Sequence, residues 1–149
     1  LNEKKGTMAF IQAYFAQSTQ DAGKSVNVKI NSQAAADAYE RGKEYYYTQR
    51  GYLKLSCATC HVQGAAQRVR NESLSQLLGH TTHFPVFRLK WGAKKVESGL
   101  GTLERRMAGC IKDQGQVPPK ATSKTMKELL YFMAYMSNDM PVDGPDIRK

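Results

Sequence analysis

Apolar residues return at three- and four-residue intervals in four stretches of this chain, and each stretch predicts a helix. Met8, Phe10, Ile11, Tyr14 and Phe15 predict a first helix over residues 8–17. A polar, glycine-containing loop follows over 21–30. Ser32 is placed as the N-cap of a second helix reaching about Arg50, with Gly51 ending it. Ala34, Ala38, Tyr39, Gly42, Tyr45 and Tyr46 give that helix a stripe of small and aromatic residues, suited to close packing against the C-terminal helix. Leu100, Leu103, Met107 and Ile111 predict a third helix over 102–112. The last helix is predicted over 123–138, with Thr125 and Glu128 at capping-box spacing. Met126, Leu129, Leu130, Met133 and Met136 form its buried face. Residues 62–92 read as irregular, with extended chain over 80–84 before Pro85. Gly115, Pro118 and Pro119 mark 114–121 as a loop, and residues 139–149 read as a surface tail. No strand pattern and no internal repeat stands out. The pattern predicts an all-α chain.

The helices leave the central chemistry to five residues, Cys57-Ala58-Thr59-Cys60-His61. This is C-x-x-C-H, the attachment pattern of a c-type haem. Two thiols at that spacing each bond one vinyl group of the porphyrin, and the histidine that follows becomes the proximal iron ligand. A zinc site needs four ligands, and Cys110, His80 and His83 supply no second pair of the usual kind. A thioredoxin-like site wants a βαβ context, which the pattern lacks. A disulfide between Cys57 and Cys60 leaves His61 unexplained. The expected fold is therefore a single cytochrome c-type domain around one covalently bound haem c, with an extra N-terminal helix. Residues 1–31 are the N-terminal helix and linker, 32–140 the haem domain and 141–149 the tail.

Length and charge narrow the setting. The chain has 149 residues, enough for one ordinary core. No apolar run is long enough to span a membrane, and no apolar segment of signal-peptide type follows the first residues. Haem c is attached outside the cytoplasmic membrane, so a periplasmic location with the leader already removed is expected. Lys and Arg number 22 against 13 acids, a net charge of +9. Such an excess favours encounter with acidic proteins or anionic substrates, or else provides a solvated basic surface. The basic residues are scattered and carry no nucleic-acid-binding motif.

The second axial ligand is open on residue grounds. Met107, Met126, Met133, Met136 and Met140 are candidates, although methionine at helical spacing is commonly core packing. His80 and His83 are further candidates. Cys110 is the odd cysteine, four residues after Arg106 and on the same helical face. A guanidinium there favours the thiolate, the nucleophilic and metal-binding form. Arg105 or Arg106 also suits an oxyanion. The alternative is an inert buried cysteine, and spacing does not choose between them.

Residues 42–47, 51–61, Gly79-His80, the run from Phe84 to Trp91, and Leu103-Glu104-Arg105-Arg106-Met107 with Cys110 together resemble the haem-bearing C-terminal domain of the SoxA family. The resemblance covers about residues 36–140. It implies a subunit that couples thiosulfate oxidatively to a cysteine of a SoxYZ-type carrier (L-cysteine S-thiosulfotransferase activity), electrons leaving through haem and a SoxX-type cytochrome partner in a heterodimer. It implies His61 as proximal ligand, Cys110 as distal ligand and catalytic sulfur, and Arg106 as its companion. His80 and Arg88 match positions expected to support the haem pocket or propionates. Residues 1–30 have no counterpart in it. The readings from other classes are a plain His/Met electron-transfer cytochrome, a thiosulfate dehydrogenase forming tetrathionate, and a scaffold inactive without its partner.

Overall fold

Two serine-capped helices make the backbone of the core. Ser32 accepts a hydrogen bond from the Ala35 amide at 3.1 Å and opens α2 (Gln33–Tyr47). Ser123 accepts from the Met126 amide at 3.2 Å and opens α5 (Lys124–Tyr135). The computed structural model describes residues 2–69 and 72–148. Leu1, Arg70, Asn71 and Lys149, which belong to the first segment, the irregular stretch and the tail read from the sequence, lie outside the described residues.

The expected partnership of α2 with α5 is present, and Gly42 sits at the closest approach. A β-carbon at Gly42 would lie 2.1 Å from the Glu128 carbonyl oxygen and 2.8 Å from the Phe132 Cβ. Around that point Tyr46, Met126, Leu129, Phe132 and Met133 are fully buried. Each such side chain contributes roughly 1.5–3 kcal/mol by leaving water. Phe132 meets Tyr39 and Tyr46 at centroid separations of 5.3 and 5.4 Å, tilted contacts that aromatic rings favour. An exposed Arg41–Glu128 pair at 2.8 Å borders the seam. The capping box expected from Thr125 and Glu128 is absent. The helix starts two residues earlier at Ser123, and Glu128 is turned to Arg41 and Lys124 instead. Helix α2 also stops at Tyr47, short of Arg50, because Thr48 is extended. Gly51, with φ +71°, shapes the following turn closed by the Arg50–Leu55 bridge.

Helix α4 (Leu103–Asp113) begins as the sequence predicts, with Thr102 as cap, and buries Met107, Ala108 and Ile111. Thr102 also donates its hydroxyl to the Glu3 carbonyl at 2.9 Å, tying the N-terminal segment to the core. Helix α1 (Thr7–Asp21) is longer than predicted and differently used. Ala9 is its buried contact, whereas Phe10, Ile11, Tyr14 and Phe15 face solvent.

The chain is not all-α. Five short strands occur among the described residues. Strand β3 (Val86–Arg88) pairs antiparallel with β4 (Leu100–Gly101) and parallel with β5 (Asp146–Arg148). Strands β1 (Arg68–Val69) and β2 (Glu72–Ser73) form a separate hairpin. Strands of two or three residues are too short to show a two-residue period, which is why the pattern missed them. The tail lies at the surface, as expected, and is paired there through β5. Residues 80–83, expected to be extended, form turns in which the His80 and Thr82 amides donate to the Leu77 and Gly79 carbonyls. A short helix α3 (Leu89–Gly92) completes the set, with Trp91 laid against Gly101 and the Arg105 guanidinium 4.0 Å from its ring.

Candidate functional site

The C-x-x-C-H segment is fixed by its own side chains. The Thr59 amide donates to the Ser56 hydroxyl at 3.1 Å, and the Ser56 amide donates back to the Thr59 hydroxyl at 3.1 Å. This reciprocal cap starts a helical turn at Cys57 and places Cys57 and Cys60, three residues apart, on one face. The turn then widens into a π-helix over Thr59–Gln63, with the Gly64 amide bonded to the Thr59 carbonyl. Such widened turns favour functional sites.

His61 is held from its far side. Its Nδ1 lies 2.6 Å from the Ser75 carbonyl oxygen, and the Leu77 amide bonds the His61 carbonyl at 3.0 Å. A carbonyl accepts only, so Nδ1 carries the proton and Nε2 is the nitrogen available to a metal. Burial lowers the His61 pKa and keeps the ring neutral, as a metal ligand must be.

The odd cysteine joins this group. Cys57 lies in one core cluster with Met107, the α4 residue one turn before Cys110, and the charge of Cys110 acts on Cys57 as that of Cys60 acts on Cys110, so the three cysteines are neighbours. The Tyr46 phenol feels all three. Burial raises the Cys110 pKa, and the opposing pull of Arg106 is the smaller effect. Arg106 therefore does not lower the Cys110 pKa below its ordinary value, contrary to what the four-residue spacing predicts. A buried thiol is better solvated neutral than charged, and Arg106 spends its own charge elsewhere.

That other partner is Glu72, which the sequence reading missed. One Glu72 oxygen lies 3.3 Å from Arg106, and the other contacts Arg88. Arg88 is 2 % exposed, and its guanidinium sits 5.5 Å from the Trp91 ring. A single carboxylate on hairpin strand β2 thus holds both arginines. Replacing Glu72 by Gln should lower stability in urea unfolding by about 1.5–3 kcal/mol, because the buried Arg88 loses a charge-assisted hydrogen bond to a half-exposed carboxylate. Arg106→Gln should cost less than about 1 kcal/mol, since Arg106 and Glu72 are both solvent-accessible at that contact.

The remaining ligand candidates separate. His80 is buried with its ring centroid 4.4 Å from that of His61. Two trans metal–nitrogen bonds of about 2 Å each, plus the ring radii, do not fit within that gap, so His80 lies beside His61 and not across a metal from it. Burial first, then the neighbouring His61, His83 and Arg106, push the His80 pKa down to about 3. Met107, Met126 and Met133 are core residues. Met136 receives the Tyr39 hydroxyl at 3.8 Å, and Met140 packs on Gly79.

The donor set can be tested against a porphyrin. Tyr46 Oη, Arg50 Nε and His80 Nδ1 are buried with no hydrogen-bond partner. Leaving such groups unpaired costs about 1–3 kcal/mol each. Tyr46 and Arg50 both lie within electrostatic reach of Cys57, and the His80 ring meets that of His61 at a tilt of 50°. Orphaned donors around two thiols and an oriented imidazole fit a group that brings its own carboxylates. Haem c is such a group.

The SoxA/TsdA cytochrome c domain profile matches residues 41–142. The chain belongs to this family. A cytochrome c domain carries covalently bound haem c, and Cys57, Cys60 and His61 are the residues of this SoxA/TsdA domain that fit it. The chain is 45% identical to the L-cysteine S-thiosulfotransferase subunit SoxA of Chlorobaculum thiosulfatiphilum over 98% of its own length and 48% of that protein. It is 37% identical to the Allochromatium vinosum subunit over 100% of its length and 51% of that protein. The chain spans about half the length of these relatives. In structure it superposes on the crystal structure of SoxXA from P. pantotrophus with a TM-score of 0.82 and 36% identity, covering 95% of this chain and 50% of the other. No helix among the described residues is long and apolar enough to cross a membrane.

Proposed function

We propose that this SoxA/TsdA domain is the catalytic haem domain of a periplasmic L-cysteine S-thiosulfotransferase, with one haem c. The packing of Cys57 in one core cluster with Met107, on the α4 segment that carries Arg106 and Cys110, carries the reading. Cys57 and Cys60 would hold haem c as thioethers, and His61 Nε2 and Cys110 Sγ would bind its iron. When bound, haem c supplies a one-electron path out of the site toward a SoxX-type cytochrome subunit.

The chain's own residues do the rest. Arg106 offers its guanidinium to the oxyanion end of thiosulfate, a dianion. Cys110 thiolate joins the terminal sulfur of thiosulfate, giving Cys110–S–S–SO3⁻ and releasing two electrons to successive one-electron acceptors. The thiolate of a SoxYZ-type carrier cysteine then attacks the outer sulfur of that disulfide. The carrier keeps the thiosulfonate, and Cys110 leaves as thiolate. Summed, one carrier thiol and one thiosulfate yield one S-thiosulfonate, two electrons and one proton.

Three supports converge on this account: the relatives' activity, the shared thiol site, and the arginine beside it. The test is reconstitution of the haem-loaded chain with a SoxX-type cytochrome and a SoxYZ-type carrier. Mass spectrometry should find the thiosulfonate on the carrier cysteine, with two electrons delivered per adduct. Tetrathionate formed without carrier would instead make the domain a thiosulfate dehydrogenase.

A further inference from the structure

Two loops at the edge of the thiol site carry side chains that thiosulfate chemistry does not use. Tyr52 is 79%, Leu53 46% and Val117 93% exposed. The first two lie in the turn between Arg50 and Leu55, and Val117 lies in the loop after α4. Both loops are tied by hydrogen bonds to the backbone next to the cysteines. Gln116 Nε2 donates to the Leu55 carbonyl at 3.0 Å and to Gln114 Oε1 at 3.2 Å. The Gln114 amide donates to the Cys110 carbonyl at 3.2 Å. Leu55 lies two residues before Cys57.

This rim is exposed but not slack. The Tyr52 ring rests on Gly115, where a β-carbon would lie 2.2 Å from Tyr52 Cε1. Gly115 has φ +73°, which glycine alone adopts at little cost. Gly51 is equally tight on Gln116, its β-carbon position lying 2.8 Å from Gln116 Cγ. Lys54, at the tip, has φ +48°, a left-handed conformation a lysine rarely adopts. Rigid exposed aromatic residues give contact area at low entropic cost. Lys54 beside Leu53, Lys112 at the end of α4 and Lys120 three residues after Val117 are exposed, and Asp113 is the exposed acid of these stretches.

We infer that Tyr52, Leu53 and Val117, on segments that also expose Lys54, Lys112 and Lys120, are the docking face for an acidic protein that presents its cysteine thiol to Cys110. The inference rests on the transferase reading above. A small dianion gains nothing from exposed tyrosine, leucine and valine, whereas a protein partner buries them. The lysines select an acidic partner and speed its arrival. Of the two protein partners, only the thiol carrier has to bring an atom to the Cys110 sulfur; an electron acceptor needs only to come near the haem. A rim built onto Cys110 serves the carrier.

The test uses the haem-loaded complex and the SoxYZ-type carrier in reduced form. Tyr52→Ser with Val117→Ser, and separately Lys54→Glu, should each weaken carrier binding about tenfold in calorimetry. The KM for carrier should rise equally, the Lys54→Glu effect shrinking as salt is added. Turnover with free cysteine as acceptor should stay unchanged in both variants, as should the haem spectrum and melting temperature. Unchanged carrier binding overturns the inference. So does weakened assembly with the SoxX-type subunit at unchanged carrier affinity, which would give the rim to that partner. Rim-dependent carrier binding without any thiosulfate transfer by the unmutated complex would uphold the docking face and refute the transferase reading.

Discussion

Gly42→Ala should destabilise the domain by about 3 kcal/mol or more in denaturant unfolding of the haem-loaded protein. Helix propensity alone predicts the opposite, since alanine is favoured over glycine by about 1 kcal/mol inside a helix. The packing term wins because the new methyl group would lie 2.1 Å from the Glu128 carbonyl oxygen, a backbone atom, and 2.8 Å from the Phe132 Cβ. Neither is a flexible side-chain end. Helices α2 and α5 would have to separate, loosening Tyr46, Leu129 and Phe132 together. Gly109 provides the control within the same protein. It lies inside α4 with nothing within 4 Å of its β-carbon position, so Gly109→Ala should leave stability unchanged or raise it by up to about 1 kcal/mol. Equal effects at the two glycines would show that the helix seam is not where the structure puts it.

Cys110→Met should keep the haem covalently attached, because Cys57, Cys60 and His61 are untouched, yet lower thiosulfate coupling to the carrier by at least roughly 10³-fold. Methionine still offers a sulfur to the metal. It has no ionisable thiol, so it cannot form the thiosulfonate or be released as thiolate. A haem-stained denaturing gel separates attachment from activity, and the carrier's mass reports the transfer. Turnover at the unmutated rate would remove Cys110 from the chemistry.

How much of this was legible in the sequence differs residue by residue. The covalent chemistry was open to view, since Cys57, Cys60 and His61 are adjacent and their spacing is itself the geometry. The α2–α5 seam was also visible: Gly42 falls on a helical stripe, and only a small residue lets two backbones meet there. The strands were hidden because β3, β4 and β5 hold two or three residues each, and their pairing joins positions far apart in the chain. Glu72 was hidden for a similar reason. It lies 16 residues from Arg88 and 34 from Arg106, with no period connecting them. Arg106 shows the limit of spacing arguments in another way. Its position one turn from Cys110 was right, but its effect on the thiol depends on burial and on Glu72, which only the folded chain reveals. The apolar residues of α1 taught the converse, for recurrence predicted the helix but not that Phe10, Tyr14 and Phe15 would face solvent.

The central claim is that Cys110 sulfur and His61 share one haem iron. Electron paramagnetic resonance of the oxidised, haem-loaded protein beside Cys110→Met tests it most directly. The account predicts a low-spin ferric signal of thiolate type in the unmutated protein, lost in Cys110→Met. A His/Met-type signal that the substitution leaves unchanged would contradict it and leave the domain an electron carrier.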